Sequence, residues 1–106
     1  MMRIGDWHLD PSGATLSRGG ETVALDSRSL ALLLRLAKEP GRLVTTEEML
    51  DEVWPDVTVS QDSVYQAITG LRRTLGDDPR QPAYIATVPR KGYRLIAAVK
   101  AERRAL

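Results

Sequence analysis

Between Ser60 and Gly76 the chain reads SQDSVYQAITGLRRTLG. At ~100° per residue, Val64, Ile68, Leu71 and Leu75 fall on one stripe, and Asp62, Gln66, Thr69 and Arg73 fall on the opposite one. This period predicts an amphipathic helix over Gln61 to Leu75, held to a core by its apolar face. Ser60 suits the N-cap, its hydroxyl accepting from a free backbone N–H, and Gly76 suits the C′ position. Outward Gln, Thr and Arg are the side chains that read base edges in a DNA major groove. An ordinary surface helix shows the same amphipathic pattern, so its surroundings must decide.

A length of 106 residues predicts one domain with enough core to fold without staples. There is no Cys, hence no disulfide framework, and a single His, His8, without the ligand spacing of a metal site. The longest apolar run, LALLLRLA, is too short to span a membrane and contains an Arg, and no signal-peptide pattern is present. A cytoplasmic setting is expected, with no cofactor and no bound metal. The net charge of +1 conceals an asymmetry: residues 1–60 carry −4 and residues 61–106 carry +5. A basic half beside an acidic half points to a polyanion-facing surface and a separate second surface.

In chain order, RIGDWHL, ATLSR and ETVAL predict three short strands, joined by the turn DPSGA and the tight Gly19-Gly20 signal. They predict a small antiparallel sheet with Trp7, Leu9, Leu16, Val23 and Leu25 inward. Asp26 is placed to cap a helix over Ser27 to Lys38, whose wide face of Leu30, Leu33, Leu34, Ala37, Leu32 and Leu36 marks it as the central one. Glu39-Pro40-Gly41 ends it. Thr45-Thr46-Glu47-Glu48 spells a capping box ahead of a second helix with Met49, Leu50, Val53 and Trp54 inward, which Pro55 terminates. The short connection PDVTV leads into the Ser60 helix, so residues 46–75 form a helix-turn-helix candidate.

After the polar loop DDPRQP, the segments AYIATV and YRLIAAV flank the basic turn PRKG. They predict a β-hairpin tipped by Arg90 and Lys91, with Arg94 just beyond. A basic hairpin directly after a helix-turn-helix has the outline of a winged helix. The fold class expected is therefore α+β: a small N-terminal antiparallel sheet, three helices and a C-terminal hairpin wing over residues 84–97. The domain is expected over residues 1–99, with 100–106 (KAERRAL) as a polar tail or the start of a linker.

The stretch LRRTLGDDPRQPAYIATVPRKGYRLIA resembles the C-terminal half of OmpR/PhoB-type winged-helix DNA-binding domains, above all those of the CadC-like branch. WHLDPSGATLSRGGETVAL resembles the small sheet that opens this domain, and EPGRLVTTEEMLDEVWPD the segment joining its first two helices. The resemblance runs from about Ile4 to Ala98. It implies a recognition helix over 61–75 in the major groove and a wing against the adjacent minor groove or backbone. It further implies base readout by Gln66, Thr69 and Arg73, and backbone contact by Ser63, Arg72, Arg90, Lys91 and Arg94, with Arg72 on the flank of the helix. The loop containing Pro55, Asp56, Val57 and Thr58 matches the segment that in some relatives touches RNA polymerase. Two positions depart from the pattern: Gly70 and Asp62 stand where many relatives carry a cation.

The function expected is sequence-specific double-stranded DNA binding as the effector domain of a bacterial transcriptional regulator, with a second copy on tandem or paired half-sites. The domain begins almost at Met1, leaving no room for a preceding receiver, so either the sequence is a piece cut from a longer chain or the domain is N-terminal in its parent, the reading favoured here. The resemblance then implies a parent in which a transmembrane or other sensory region follows. The alternative is a winged-helix protein–protein interaction module, since a fold does not dictate a function. An enzyme is not expected: Asp77 and Asp78 are adjacent loop carboxylates without an evident acid/base partner.

Overall fold

A computed structural model describes residues 1–102. The chain opens on β1 (Met2–Ile4), β2 (Trp7–Asp10), β3 (Thr15–Arg18) and β4 (Glu21–Ala24). Helices α1 (Ser27–Lys38), α2 (Thr46–Val53) and α3 (Gln61–Leu75) follow, with the short strand β5 (Val44–Thr45) ahead of α2. The chain ends in β6 (Ile85–Val88), β7 (Gly92–Leu95) and β8 (Val99–Ala101). Two antiparallel sheets result, ordered β4-β3-β2-β1-β8 and β5-β7-β6.

The N-terminal sheet corrects two expectations. RIGDWHL is not one strand but a tight hairpin: Ile4 pairs with Trp7, and Gly5 turns the chain at φ +57. A strand containing Gly5-Asp6 would put Ile4 and Trp7 on opposite faces; the turn buries both, at 0% and 1% exposure. The expected boundary at residue 99 also moves. Val99, Lys100 and Ala101 form an edge strand on β1, and Glu102 places its carboxylate 2.8 Å from the His8 Nδ1. Residues 103–106 of the expected tail lie outside the described residues. The Gly19-Gly20 turn is as expected, both residues having positive φ.

Each helix starts where its capping residues dictate, with one exception. The Asp26 carboxylate accepts from the Ser29 N–H at 2.8 Å. The Thr45 hydroxyl accepts from the Glu48 N–H at 3.1 Å and donates back to the Glu48 carboxylate at 3.2 Å. Glu48 therefore returns to the hydroxyl, while its other oxygen takes Arg35 of α1 at 3.0 Å. Ser60 has the extended backbone of an N-cap, but its side chain makes no capping bond; its carbonyl accepts from Ser63 N–H at 3.0 Å. At the other end of α3, Gly76 adopts φ +73. The Gly76 N–H bonds to Arg73 O at 3.2 Å and the Asp77 N–H to Arg72 O at 2.8 Å, the Schellman pairing.

The core lies between the helices and the two sheets. Val64, Ile68, Leu71 and Leu75 are fully buried, as are Leu32, Leu33 and Leu36 of α1 and Met49 of α2. Burying an aliphatic side chain of this size stabilises by about 1.5–3 kcal/mol. From the N-terminal sheet, Trp7 donates its indole N–H to the Leu75 carbonyl at 3.1 Å, tying that sheet to the end of α3. The Arg18 guanidinium stacks on the same indole, 4.2 Å from its centroid.

The three-stranded sheet requires a glycine at 92. A Cβ there would lie 2.1 Å from the Val44 carbonyl oxygen and 2.8 Å from the Thr45 Cα. Backbone cannot yield as a side-chain tip can, so Gly92→Ala forces β5 and β7 apart. Chemical denaturation should show Gly92→Ala destabilised by about 2 kcal/mol or more, the range of severe steric change in a packed interior.

Candidate nucleic-acid interface

The polar face of α3 is open. Asp62, Gln66 and Arg73 are exposed, and Thr69 is half-buried. Beside this face, the wing-side edge of the first turns of α3 is one wall of a groove whose others are the start of α2 and the wing. Thr46 and Glu47, then Gln61, Asp62 and Tyr65, then Thr87, Arg90 and Lys91 border it. The wing tip is held against α2: the Lys91 carbonyl accepts from the Thr46 N–H at 3.1 Å, while the Lys91 N–H donates to Val88 O at 3.0 Å. Arg90 occupies the left-handed turn position, φ +65. Both cationic side chains are exposed beside α3.

The predicted side chains are thus brought together unequally. Gln66, Thr69 and Arg73 share one face of α3, but the groove that Arg90 and Lys91 line is bordered on α3 by Gln61, Asp62 and Tyr65, while Thr69 and Arg73 border a second depression with Tyr65, Asp77 and Pro79. Thr69 donates its hydroxyl hydrogen to the Tyr65 carbonyl at 2.9 Å, which leaves that oxygen free only to accept. Ser63, half-buried, sits on the flank of α3 away from the groove. Arg94 is exposed but pairs with Ala86, across the wing from the face that carries Thr87 and Tyr93. It does not line the groove with Arg90 and Lys91.

Arg72 departs most from expectation. It is not on an open flank but 7% exposed. Its Nη2 donates to the Ile85 carbonyl at 3.0 Å and to the Thr87 hydroxyl at 2.7 Å. The guanidinium lies 5.9 Å from the Tyr93 ring centroid. The physical reason is the wing itself, which folds over this side of α3 and brings the end groups of β6 within reach. Arg72 is therefore the strut between α3 and the wing. Burial pushes the Tyr93 phenol above its ordinary pKa, with the Arg72 cation pulling the other way.

The structure adds to the sequence reading at Tyr65, which that reading left out, and at Asp77 and Gly70, which it named without a structural role. Tyr65 is 56% exposed on the wing-side edge of α3 and borders the groove. Its position, four residues before Thr69, was the available signal. Asp77 is a structural acid: its two oxygens accept from the N–H groups of Ala83 at 2.7 Å, Tyr84 at 3.2 Å and Ile85 at 3.0 Å, closing the loop onto β6. Asp78 accepts from Arg80 N–H at 2.9 Å in a local turn. Finally, Gly70 lies inside α3 with nothing within 4 Å of where its Cβ would be. Glycine at a helix-interior position costs about 0.5–1 kcal/mol against alanine.

The loop of Pro55, Asp56, Val57 and Thr58 is exposed throughout, with Val57 at 47%. Its entry is braced by Arg28 of α1, which donates to the Val53 carbonyl at 2.6 Å and lies 5.4 Å from the Trp54 ring centroid. Among the described residues no helix is long and apolar enough to cross a membrane. Replacing Arg72 by Met keeps most of its volume but leaves Ile85 O and Thr87 without their donor. Urea denaturation should show a loss of about 1–3 kcal/mol, with hydrogen exchange in β6 accelerated ahead of α3.

Known proteins share this architecture. Residues 20–95 match the family described as "Transcriptional regulatory protein, C terminal". The transcriptional activator CadC of Escherichia coli strain K12 is 38% identical over 100 residues, which is 93% of this chain and 20% of that protein. The solved DNA-binding domain of E. coli CadC superposes with a TM-score of 0.85 at 37% identity, covering 93% of this chain and 94% of that one. The DNA-binding domain of Klebsiella pneumoniae RstA, solved in complex with the RstA box, gives 0.77 at 32% identity, over 89% and 94%. The chain spans about one fifth of the CadC protein's length. With its helix-turn-helix, its wing and the sheet ahead of them, the chain belongs to the OmpR/PhoB-type winged-helix family of transcriptional-regulator domains.

Proposed function

We propose that this domain carries out its family's effector role by binding double-stranded DNA in a sequence-specific manner, with α3 in the major groove and the wing against the adjacent minor groove or backbone. What supports this reading is the open Gln66 and Arg73 on one helix, α3, whose first turns (Gln61, Asp62 and Tyr65) share a groove with the wing-tip cations Arg90 and Lys91. Phosphate contacts fix register, and base-edge contacts read sequence. Gln66 suits adenine N6/N7 and Arg73 suits guanine O6/N7. Thr69, able only to accept, suits an exocyclic amine. Lys91 and Arg90 anchor phosphate beside the groove, Arg94 and Ser63 reach it from the two flanks, and Arg72 contributes by holding the wing.

The competing role, a protein-interaction module, draws on the acidic N-terminal half. Three of those carboxylates, Glu39, Glu48 and Glu52, pair with Arg35. One guanidinium, already counted in that half, offsets one of these three charges, so the acidic excess stands and the basic wing and α3 surface is what favours the DNA reading. The Pro55–Thr58 loop is the candidate contact for RNA polymerase, and a second copy on an adjacent half-site would enlarge the small footprint of one domain. We place the domain in the cytoplasm, where its DNA is, as part of a longer regulator whose remaining length carries a sensory or membrane region.

The test is binding to labelled duplexes from the parent gene's promoter, against scrambled duplex, across a salt series. Binding that prefers the promoter and falls steeply with salt supports the proposal; none at low salt moves the role to a protein partner. Arg73→Ala should weaken the preferred duplex by about 1–3 kcal/mol and relax preference at one base pair. Equal loss on every duplex would remove Arg73 from the reading set. Lys91→Ala should weaken all duplexes alike and reduce the salt slope by about 1.

A further inference from the structure

We infer that Tyr65 holds the sugar–phosphate strand that separates the two grooves of bound DNA, its phenol hydroxyl donating to a phosphate oxygen. The inference rests on the DNA-binding reading above and deepens it. With α3 in a major groove and the wing against the adjacent minor groove, one strand of backbone is the wall between them. That strand must pass through the gap between α3 and the wing. The gap is the groove of about 610 Å³ bordered by Gln61, Asp62 and Tyr65 on one side and by Arg90 and Lys91 on the other. Tyr65 also borders the depression that holds Thr69 and Arg73. It is thus the ridge between the wing cations and the outward face of the helix, the place a strand walling off the major groove must occupy.

The side chain itself argues for a backbone contact. Tyr65 is 56% exposed in a helix whose large apolar side chains, Val64, Ile68, Leu71 and Leu75, are fully buried, so the ring contributes little to the core. Its backbone carbonyl accepts from Thr69 at 2.9 Å, but among the described residues no hydrogen bond engages its hydroxyl. It stands ~100° around the helix from Gln66, toward the wing and off the reading face. Charge in the gap is balanced: Glu47 and Asp62 stand against Arg90 and Lys91, all four exposed. Net charge therefore does not position a phosphate there, and a neutral, directed donor does. Tyrosine is one of the side chains that donate to phosphate, and a hydrogen bond to an ionised acceptor is roughly twice as strong as a neutral one. The ring also presents an apolar face to the adjoining deoxyribose, an aromatic with one dry side and one wet end. The opposite wall is fixed in place by the bond from the Thr46 N–H to the Lys91 carbonyl at 3.1 Å.

The experiment compares the wild-type chain with Tyr65→Phe, which removes the hydroxyl and leaves the ring. The duplexes are one that wild type enriches from a random-sequence pool and a scrambled control, each across a salt series. Tm should not move, because the hydroxyl engages nothing in the fold. Affinity should fall about tenfold on both duplexes, the scale of one hydrogen bond to a charged group. The salt slope should stay as in wild type, since a hydroxyl displaces no counterion, in contrast to Lys91. Single neutral methylphosphonates are then placed along the enriched duplex. At one position on the strand between the two grooves, wild type should lose affinity and Tyr65→Phe should lose none further. Unchanged affinity in Tyr65→Phe, a loss confined to the enriched duplex, or additive losses at every methylphosphonate overturns the inference and leaves DNA binding standing. A wild-type domain that binds no duplex overturns the DNA-binding reading and the inference with it.

Discussion

The apolar stripe of α3 is the interaction on which the rest of the molecule depends. Val64, Ile68, Leu71 and Leu75 are buried along the whole length of the helix. The other layers meet it: α1 and α2 by their own apolar faces, the N-terminal sheet through Trp7 and the Leu75 carbonyl, the wing through Arg72. An amphipathic helix of this length is marginal alone and gains its stability from the face it buries. Removing that face from solvent also determines which side chains are left outside. The open face is the consequence of the buried one.

Polar groups then lock the geometry that burial leaves loose. Hydrophobic contact is non-directional, so it does not define the angle between a helix and a two-stranded wing. Arg72 does, with two directed bonds to β6. Asp77 does the same for the connecting loop, accepting three backbone N–H groups that would otherwise lack partners at the start of β6. At the opposite end of the wing, the Thr46–Lys91 backbone bond pins the tip to α2. Three short polar attachments therefore hold the cations of the tip in register with α3. A tip that swung freely would lose the entropy of ordering each time it met a ligand.

Much of this was legible in the residues. The 3.6-residue period of 64–75 located α3 and sorted its faces, and Asp26 and the Thr45–Glu48 box marked helix starts that their hydrogen bonds confirm. The hairpin at Arg90-Lys91 followed from its β-branched flanks. Local signals also misled where local chemistry had competitors. The Ser60 hydroxyl was available to cap but makes no capping bond, the first turn being closed by backbone. RIGDWHL has the composition of one strand, yet Gly5 allows a turn that lets both Ile4 and Trp7 enter the core. Val99–Ala101 carries too little pattern to announce a strand; it becomes one because β1 presents an unpaired edge.

By itself, then, the sequence determined the elements and their faces, since helix period, strand composition and capping act within a few residues. It also carried the family, through the run from Leu71 to Leu95 that keeps its turn glycine and wing residues together. Tertiary structure alone decided what each exposed-looking polar residue does. Arg72 and Arg73 are adjacent and chemically identical, but α3 rotates them by ~100°, so one enters the contact with the wing and the other stays open. Gly92 and Gly70 are both glycines on α3 or the sheet beside it, and only the positions of neighbouring atoms distinguish them: the first is crowded by Val44, the second by nothing in its own chain. Such differences depend on atoms distant in sequence, to which a local pattern has no access.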